Sequence, residues 1–322
     1  MADLRDPFSF GYMWRWPSPL HHRAMQRLEG WALRGADRII VNTPTALATY
    51  RRLYSDISGE RWWVLPNGFD PDDFPERSQE KRSSERLTIV YTGSLAGYTP
   101  EEIEAARRKG RKGARFLSFQ SGTCDPTTRS GYFLLQGVAR ALEAEPALRR
   151  MLRIDLIGKI DPRNERLARS LGIEDVVSFH APIPHDEALR RAAAADLLFL
   201  PLEQGVAGER TPYIPGKAYE YLAMRKPVLL LAGDSDTREI LERAGLAFPT
   251  PPDDPEAIAA RIVELHRTFR QVGTIPVSPD EAYIERFRAD RQAETFCAIL
   301  REAEGGEAVE FPATPVTLEG KK

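Results

Sequence analysis

A lysine and a glutamate three residues apart precede an aliphatic run in "IPGKAYEYLAMRKPVLLLAG", residues 214–233. A helix that begins after Pro215, at Gly216, offers free N–H groups and a dipole that favour an anion such as a phosphate. Lys217 adds positive charge at the same place, and Glu220 lies one turn later on the same face. A carboxylate there can accept two hydrogen bonds from a sugar diol, as acidic residues do with ribose. The spacing predicts a nucleotide clamp, and the alternative is a weak surface ion pair.

Four further segments rich in small or polar residues each follow a predicted strand. Ligands of doubly wound sheets bind at the carboxyl ends of the strands, and glycine there lets the backbone approach a ligand. The segments are Thr92-Gly93-Ser94, Gly158-Lys159, His180-Ala181-Pro182-Ile183 and Pro201-Leu202-Glu203. Together with the Lys217 segment, they predict one binding site at one edge of the sheet.

The elements that must position these residues alternate regularly from residue 87 onward. Aliphatic runs without polar alternation are typical of strands buried on both faces, and helices between them indicate βαβ crossovers. We therefore predict an α/β fold with a doubly wound, Rossmann-like parallel sheet. Predicted strands are 87–93, 152–158, 176–180, 196–201 and 226–233, and predicted helices are 132–145, 164–172, 185–195, 216–224, 236–245, 254–269 and 280–302.

The front of the chain repeats the alternation on a smaller scale. A helix is predicted at 18–34, with Ser18 as N-cap and Gly35 as its end. Its apolar residues Leu20, Ala24, Leu28 and Trp31 fall on one face. Strands at 36–43 and 61–70 and a helix at 44–55 follow.

Composition limits the classes of protein that the chain can belong to. With 322 residues, 42% hydrophobic residues and a net charge of −2, it is a soluble globular chain and not a broadly basic nucleic-acid binder. No apolar run is long enough to span a membrane, and the start lacks the pattern of a signal peptide. Cys124 and Cys297 have no metal-ligand spacing and are typical of unpaired cytoplasmic thiols. We predict a cytoplasmic protein, with peripheral attachment at the inner membrane face, through Trp14 and Trp16, as an alternative.

The predicted organisation has five parts. They are an incomplete N-terminal domain at 1–72, a linker at 73–86, a nucleotide-binding domain at 87–278, a helix at 279–303 that returns toward the first part, and a flexible tail at 304–322. A long loop at 97–130 carries a basic cluster from Arg107 to Arg115. That cluster is either a solvated surface or a contact for phosphate or an acidic membrane.

Several segments, in this order, resemble glycosyltransferases of the family 4 type with the GT-B fold. They are "DLRDPF", "RLEGWALRGADRIIVNT", "VLPNGFDPDDF", "IVYTGSL", "DLIGK", "VVSFHAPIPHDEALRRAAAADLLFLPL" and "IPGKAYEYLAMRKPVLLL". The resemblance implies two Rossmann-like domains, the second of which binds most of a nucleotide sugar. It also implies hexosyltransferase-like transfer of the sugar to an acceptor hydroxyl of a glycan, a lipid or a small molecule. Retention of configuration, no metal and no cofactor beyond the nucleoside diphosphate sugar are further implications.

The resemblance assigns roles to individual positions of the donor site. Glu220 falls where the family contacts the ribose, and Lys217 stands in a Pro-x-Lys-x-x-Glu-Tyr variant that also includes Pro215 and Tyr221. Gly93 and Ser94 match the glycine-rich donor loop. Backbone groups of Ala181 and Ile183 would meet the nucleobase, while Gly158, Glu203 and Gly216 complete the predicted donor contacts.

The chain also departs from the family pattern. Pro212 occupies the place of the first glutamate of the Glu-x7-Glu pair, and Arg225 replaces a glycine that usually ends the helix. The basic pair on the donor phosphates has no certain match, so Arg129 and Lys159 are the candidates, and Lys217 and Arg129 are the predicted catalytic residues.

The front of the chain gives rise to the competing hypotheses. "DLRDP" closes a late strand of the first domain in this family, whereas here Asp3 is the third residue. We therefore expect a truncated or split glycosyltransferase, with a partner chain that supplies the earlier strands. The alternative is a non-catalytic subunit that binds a nucleotide sugar or acts as a scaffold. A sugar-nucleotide epimerase is a weaker hypothesis, because no carboxylate pair supports it.

Overall fold

Two parallel β-sheets organise the chain, as the α/β prediction requires. The computed structural model describes residues 1–11, 14–74, 85–109, 119, 124–206 and 209–303, and the side chains of 107–109 are not described. Most of the predicted linker and basic cluster and the whole predicted tail therefore lie outside the described residues. The proposed domain boundaries remain predictions.

The front of the chain forms a three-stranded parallel sheet in the order β1-β2-β3. Its strands are β1 Ala2–Leu4, β2 Ile39–Val41 and β3 Trp62–Val64, joined by helices α1 Pro19–Arg34 and α2 Pro44–Leu53. The Ser18 hydroxyl accepts the His21 N–H of α1, and the Thr43 hydroxyl accepts the Ala46 N–H of α2, so both helices begin at polar caps. Buried Leu33, Tyr50 and Trp62 fill the space between helices and sheet.

The rest of the chain forms a six-stranded parallel sheet in the order β11-β10-β8-β4-β6-β7, with a small antiparallel pair, β5-β9, beside it. The strands are β4 Leu87–Thr92, β5 Cys124–Asp125, β6 Leu152–Ile157, β7 Val177–His180, β8 Leu197–Pro201, β9 Gln204–Gly205, β10 Val228–Leu231 and β11 Ala247–Thr250. The helices are α3 Pro100–Lys109, α4 Tyr132–Ala144, α5 Leu148–Met151, α6 Pro162–Ser170, α7 His185–Ala193, α8 Gly216–Met224, α9 Asp236–Arg243 and α10 Pro255–Val272.

Both faces of the large sheet are covered by helices. On one face, Ile89 and Tyr91 of β4 pack in a cluster with residues of α4 and α10. On the other face, Val90 of β4 packs with residues of α7, α8 and α9. Successive residues of one strand point to opposite faces, so a continuous apolar run is required, as the sequence pattern indicated.

The prediction of a single helix at 280–302 is wrong. The helix is broken at Arg288, where the backbone on either side pairs with Phe69. The segment forms α11 Glu281–Ile284, a 3₁₀ turn Glu285–Phe287 and α12 Ala289–Ala303. The N–H of Phe69 donates to the carbonyl of Phe287 at 2.9 Å, and the N–H of Ala289 donates to the carbonyl of Phe69 at 2.8 Å. This pairing holds the intervening residue extended, and α12 then packs Ile299 against the three-stranded sheet.

Strand β11 was not predicted. It contains Pro249, which argues against a strand within a sheet. In the structure β11 lies at the sheet edge and pairs only with β10 among the described residues, so the missing N–H is tolerated there.

Candidate functional site

The carboxyl ends of four neighbouring strands meet at one edge of the large sheet. These strands, β8, β4, β6 and β7, are adjacent in the sheet, and each ends in a segment that the sequence had singled out. A cleft of about 330 Å³ opens at this edge. Its walls are formed by Thr92, Gly93, Ser94, Ile157, Gly158, Lys159, Pro182, Ile183, His185, Ala188, Lys217 and Glu220.

Two glycines shape the wall of the cleft. Gly93 and Gly158 both have φ near +129°, a conformation that disfavours side chains. A Cβ on Gly93 would collide with the Lys217 ammonium, and one on Gly158 would collide with the backbone of Gly93. The cleft is therefore lined here by bare backbone, in close contact with the predicted phosphate-binding lysine.

Lys217 is a largely buried cation supported by Tyr91. Its Nζ lies 5.3 Å from the centre of the Tyr91 ring, and the Tyr91 hydroxyl donates to the carbonyl of Ser94 at 2.6 Å. Burial lowers the pKa of Lys217, while nearby Glu220 raises it and Arg129 lowers it further. No described residue forms a hydrogen bond or ion pair with the Lys217 ammonium. A bound anion would supply the missing partner.

Helix α8 brings Lys217 and Glu220 to the cleft together. It begins at Gly216, with Pro215 as an N-cap that has no side-chain hydrogen bond to offer. An added Cβ on Gly216 would meet nothing within 4 Å, so the start of the helix is open. Pro215 and Gly216 do not line the cleft themselves, and they act by starting the helix that does.

A second cleft of about 600 Å³ adjoins the first through Ser94 and Lys159. The predicted catalytic Arg129 lies here rather than beside Lys217, and its Nη1 donates to Oε1 of Glu203 at 2.9 Å. The Glu203 side chain is only 16% exposed. The pairing holds Arg129 in place and offsets much of its charge. The walls are formed by Ser94, Leu95, Ala96, Tyr98, Pro126, Arg129, Lys159, Ile160, Asp161 and Glu203.

Like Pro215 and Gly216, two further predicted donor contacts, Tyr221 and Ala181, line neither cleft. Tyr221 is fully buried, and its hydroxyl donates to the carbonyl of Phe199 at 3.1 Å, so its side chain is directed into the core and not into a cleft. It follows Glu220 by one position and therefore faces the sheet when Glu220 faces the cleft. Ala181 lies in the loop after β7, but its neighbours Pro182 and Ile183 form the wall instead.

The sequence analysis missed several residues of the site. Tyr91 lies beneath Lys217, and Ile157, His185 and Ala188 line the first cleft. His185 is the first residue of α7, so its place after a strand-end loop was a usable signal. Tyr91 gave no such signal, because it lies inside an apolar strand and is 1% exposed.

Pro212, which stands where the family has the first glutamate of its pair, takes part in a structural contact. Pro212 is buried, and its carbonyl accepts the Thr43 hydroxyl at 3.1 Å. This residue connects the front of the chain to the segment that precedes α8. Glu209, the nearest acidic residue in sequence, is exposed and lines neither cleft.

Neither a cluster of metal-ligating side chains nor a membrane-spanning helix is found among the described residues. Within those ranges, no group of three or more His, Cys, Asp or Glu residues is arranged to hold a metal ion. None of the described helices combines the length and apolarity needed to cross a bilayer.

Two family models match the chain on either side of the predicted linker. The model described as "Glycosyltransferase Family 4" matches residues 5–73, and that described as "Glycosyl transferases group 1" matches residues 129–268. Together with the parallel sheets, these matches identify the chain as a member of the family 4-type, GT-B glycosyltransferases.

Individual relatives agree with this family. D-inositol 3-phosphate glycosyltransferase of Geodermatophilus obscurus is 28% identical over 204 residues, which are 58% of this chain and 42% of the relative. Sucrose-phosphate synthase from Thermosynechococcus elongatus has a similar fold, with a TM-score of 0.57 and 19% identity over 88% of this chain and 62% of that one. WaaG, a glycosyltransferase involved in lipopolysaccharide biosynthesis, gives a TM-score of 0.51 and 18% identity over 88% and 66%. The chain spans less than half the length of the curated relatives it matches.

Proposed function

We propose that the chain is a glycosyltransferase whose large sheet binds a nucleoside diphosphate sugar. The observation that carries this proposal is the cleft in which Lys217 and Glu220, on one helix face, meet two strand ends built from glycine. Burial disfavours the charged form of Lys217, and no described carboxylate lies within ion-pair distance, so an anionic ligand would stabilise this cation. A carboxylate one turn away suits a diol rather than a phosphate, and a nucleotide presents both groups.

Each group of the donor has a place in this proposal. The diphosphate lies against the start of α8 and the Lys217 ammonium, and the ribose hydroxyls donate to Glu220. The base packs beside Pro182 and Ile183. Arg129 and Lys159 stand on the side of the second cleft, which would receive the sugar end of the donor. Charge that develops on the leaving diphosphate is then stabilised mainly by Lys217, while Arg129, paired with Glu203, contributes from the second cleft.

The acceptor and the outcome of the reaction follow from the family resemblance. We propose transfer to a hydroxyl of a glycan, a lipid or a small molecule, with retention of configuration and without a metal or a further cofactor. The front of the chain would contribute to the acceptor side, together with a partner chain if the enzyme is split. A cytoplasmic site of action fits a nucleotide-sugar donor.

The donor site is tested by thermal unfolding with UDP, GDP, ADP and CMP. A nucleotide at about 100 times its dissociation constant adds roughly 2.7 kcal/mol of stability, which is about 5 °C in a chain of this size. We expect one nucleotide to raise the melting temperature of the wild type and to have no such effect on Glu220→Ala. Glu256→Ala is the matched control, because Glu256 is exposed on α10, away from the cleft.

Catalysis is tested separately, with the diphosphate sugars of the base identified in this way. Release of free nucleoside diphosphate in the presence of mixed acceptors supports the transferase. Nucleotide binding that depends on Glu220 without any release would favour a non-catalytic binding subunit, a hypothesis that Pro212 at the place of a glutamate supports. No shift with any nucleotide, in a folded protein, would contradict both.

A further inference from the structure

Glu203 lies in the wall of the second cleft, on a backbone that is fixed on both sides. It follows strand β8, and the buried hydroxyl of Thr128 lies 2.8 Å from the carbonyl of Leu202 and accepts the N–H of Gln204 at 2.9 Å. From Gln204 onward the chain pairs with β5 as strand β9. A backbone held in this way presents its side chain in one place, as a binding residue must.

Only one oxygen of the Glu203 carboxylate has a hydrogen-bond partner among the described residues. Oε1 accepts from Nη1 of Arg129 at 2.9 Å, whereas no hydrogen bond within the described part of the chain reaches Oε2. The side chain is 16% exposed and lines the cleft. A largely buried carboxylate oxygen is stabilised by a hydrogen-bond donor, since little water reaches it. Oε2 therefore favours a ligand in the cleft that donates a hydrogen bond.

Asp161, the other carboxylate in the walls of the second cleft, has no comparable capacity. Its oxygens accept the backbone N–H of Arg163 at 2.9 Å, Nε at 3.0 Å and Nη2 at 2.7 Å, and these contacts cap helix α6. Lys159 lines both clefts and so stands at their junction, on the side of the proposed diphosphate. Glu203 is thus the carboxylate of this cleft with an unused acceptor atom.

The surroundings of Glu203 disfavour a ligand that carries negative charge. Burial raises the pKa of the nearby Cys124 thiol to about 12, and the charges of Glu203 and Asp125 act in the same direction. The carboxylate of a uronic acid would meet the same repulsion from Glu203 as a thiolate does. Arg129 compensates for little of it, because its guanidinium already pairs with Glu203. A neutral hydroxyl meets no such cost.

We propose that Glu203 accepts a hydrogen bond from a hydroxyl of the transferred sugar and makes the cleft select neutral sugars over uronic acids. This inference rests on the proposed donor site, whose sugar end would enter the second cleft. A hydroxyl bound to a carboxylate forms a charge-assisted hydrogen bond, so its loss is felt strongly. A sugar that opposes Oε2 with a negative charge is rejected, because a site built to accept a hydrogen bond is then left unpaired. Leu95, Tyr98 and Pro126 form apolar walls against which the C–H face of a sugar ring can pack.

The test compares calorimetric titrations with a nucleoside diphosphate and with its diphosphate sugars, for the base that thermal unfolding identifies. The neutral sugars are glucose, galactose, mannose and N-acetylglucosamine, and the charged ones are glucuronic and mannuronic acid. We expect the wild type to bind the uronic acid donors at least about tenfold more weakly than the best neutral donor.

Glu203→Gln keeps an acceptor for Arg129 but removes the negative charge. It should weaken binding of the best neutral donor about 5- to 10-fold and reduce the preference for neutral sugars. The dissociation constant of the nucleoside diphosphate, which has no sugar, should change less than about twofold. A residue that only supports the fold would affect all ligands alike.

Glu209→Gln is the matched control, since the same substitution is made later in this segment at an exposed side chain that lines neither cleft. It should leave every affinity unchanged. The preference of the wild type tests the inference even if Glu203→Gln does not fold. Wild-type binding of a uronic acid donor as tight as that of every neutral donor would overturn it. So would an equal loss of nucleoside diphosphate and donor affinity in Glu203→Gln, and both results leave the donor site standing. No binding of any nucleoside diphosphate would contradict the proposed function itself, and this inference with it.

Discussion

Lys217 lies against the Tyr91 ring but has no hydrogen-bond or ion-pair partner among the described residues. Its pKa lies below the usual lysine value because of burial, so the folded protein holds this proton less tightly than the unfolded chain. The sign follows directly: protonation of Lys217 opposes folding, and the empty protein gains stability as pH rises through the pKa of this group. An anion bound in the cleft would offset the free-energy cost of burying the protonated lysine. The same burial that lowers the stability of the ligand-free protein would then strengthen its interaction with the anion.

Nucleotide affinity should therefore fall at alkaline pH. In the proposed site a nucleoside diphosphate would bind the protonated lysine, so affinity should be lost as pH rises through the lowered pKa of Lys217. Lys217→Arg should remove this loss, because arginine stays charged. Lys217→Met should weaken binding about 10- to 100-fold at neutral pH, as for a charged hydrogen bond. Titration calorimetry across pH measures both, with Arg270→Met, an exposed basic residue of α10 outside both clefts, as control. An unchanged pH profile in Lys217→Arg would contradict the assignment.

The glycines of the cleft differ sharply in what a side chain would meet. Gly158→Ala should lower the free energy of unfolding by about 2 kcal/mol or more, because its φ is +129° and a Cβ strikes the backbone of Gly93. Gly216→Ala is the control within the same site. Its φ lies outside the left-handed region, an added Cβ would meet nothing within 4 Å, and alanine favours a helix. Urea denaturation of both variants measures the difference. Equal stabilities would show that the Gly158 strand end can relax.

Helix α8 ends at Arg225, whose side chain also connects the helix to a segment more than fifty residues later. Arg225 ends α8 in the left-handed conformation, with φ 50°, where the family usually has glycine. Its guanidinium pairs with Glu281 at 3.0 Å and Glu285 at 2.6 Å, and it lies 5.8 Å from the ring centre of Phe69. The contacts with α11 and its 3₁₀ turn offset the cost of the backbone conformation.

Two substitutions at Arg225 separate these effects. Arg225→Ala loses the ion pairs and keeps the strain, whereas Arg225→Gly loses the ion pairs and removes the strain. We expect both to destabilise the protein, with glycine less harmful than alanine by about 1 kcal/mol. Chemical denaturation is the measurement. If alanine proves the milder change, the left-handed conformation is not costly at this position.

At the scale of the molecule, a few polar contacts join the front of the chain to the large sheet. The backbone N–H and the hydroxyl of Thr45 donate to Asp236 at 3.1 and 2.8 Å, and Arg210 donates to the same carboxylate at 2.9 Å. The Asp236 side chain is 1% exposed, and burial raises its pKa. The start of α2 is thereby fixed to the start of α9, on the side where the Lys217 segment runs.

Asp236→Ala should lower the free energy of unfolding by about 1–3 kcal/mol, because it removes the acceptor of two Thr45 donors and the most buried of the three carboxylates that pair with Arg210. Asp234→Ala is the matched control: Asp234 also pairs with Arg210, at 3.1 Å, but is 72% exposed. Its loss should cost at most about 1 kcal/mol. Thermal and urea unfolding of the pair provide the comparison. Similar losses in both variants would mean that the buried contacts carry no special weight.

Local chemistry made much of this protein predictable. The caps at Ser18 and Thr43, the unbroken apolar strands and the alternation of strands and helices all act over a few residues, and the structure confirms the parallel α/β fold that they indicate. The clustering of Gly93, Gly158, Lys217 and Glu220 could also be predicted, because parallel strands bring their carboxyl ends to one edge.

Only the tertiary structure decided what depends on contacts between distant segments. Arg129 meets Glu203 rather than Lys217, Tyr91 supports the lysine from inside the sheet, and Phe69 interrupts the last helix. Helical periodicity placed Leu20, Ala24, Leu28 and Trp31 on one face of α1 but did not show whether that face is buried, because a period shows which residues share a face and not what that face meets. The sheet beneath α1 settled that question, and it turned Leu28 and Trp31 toward solvent.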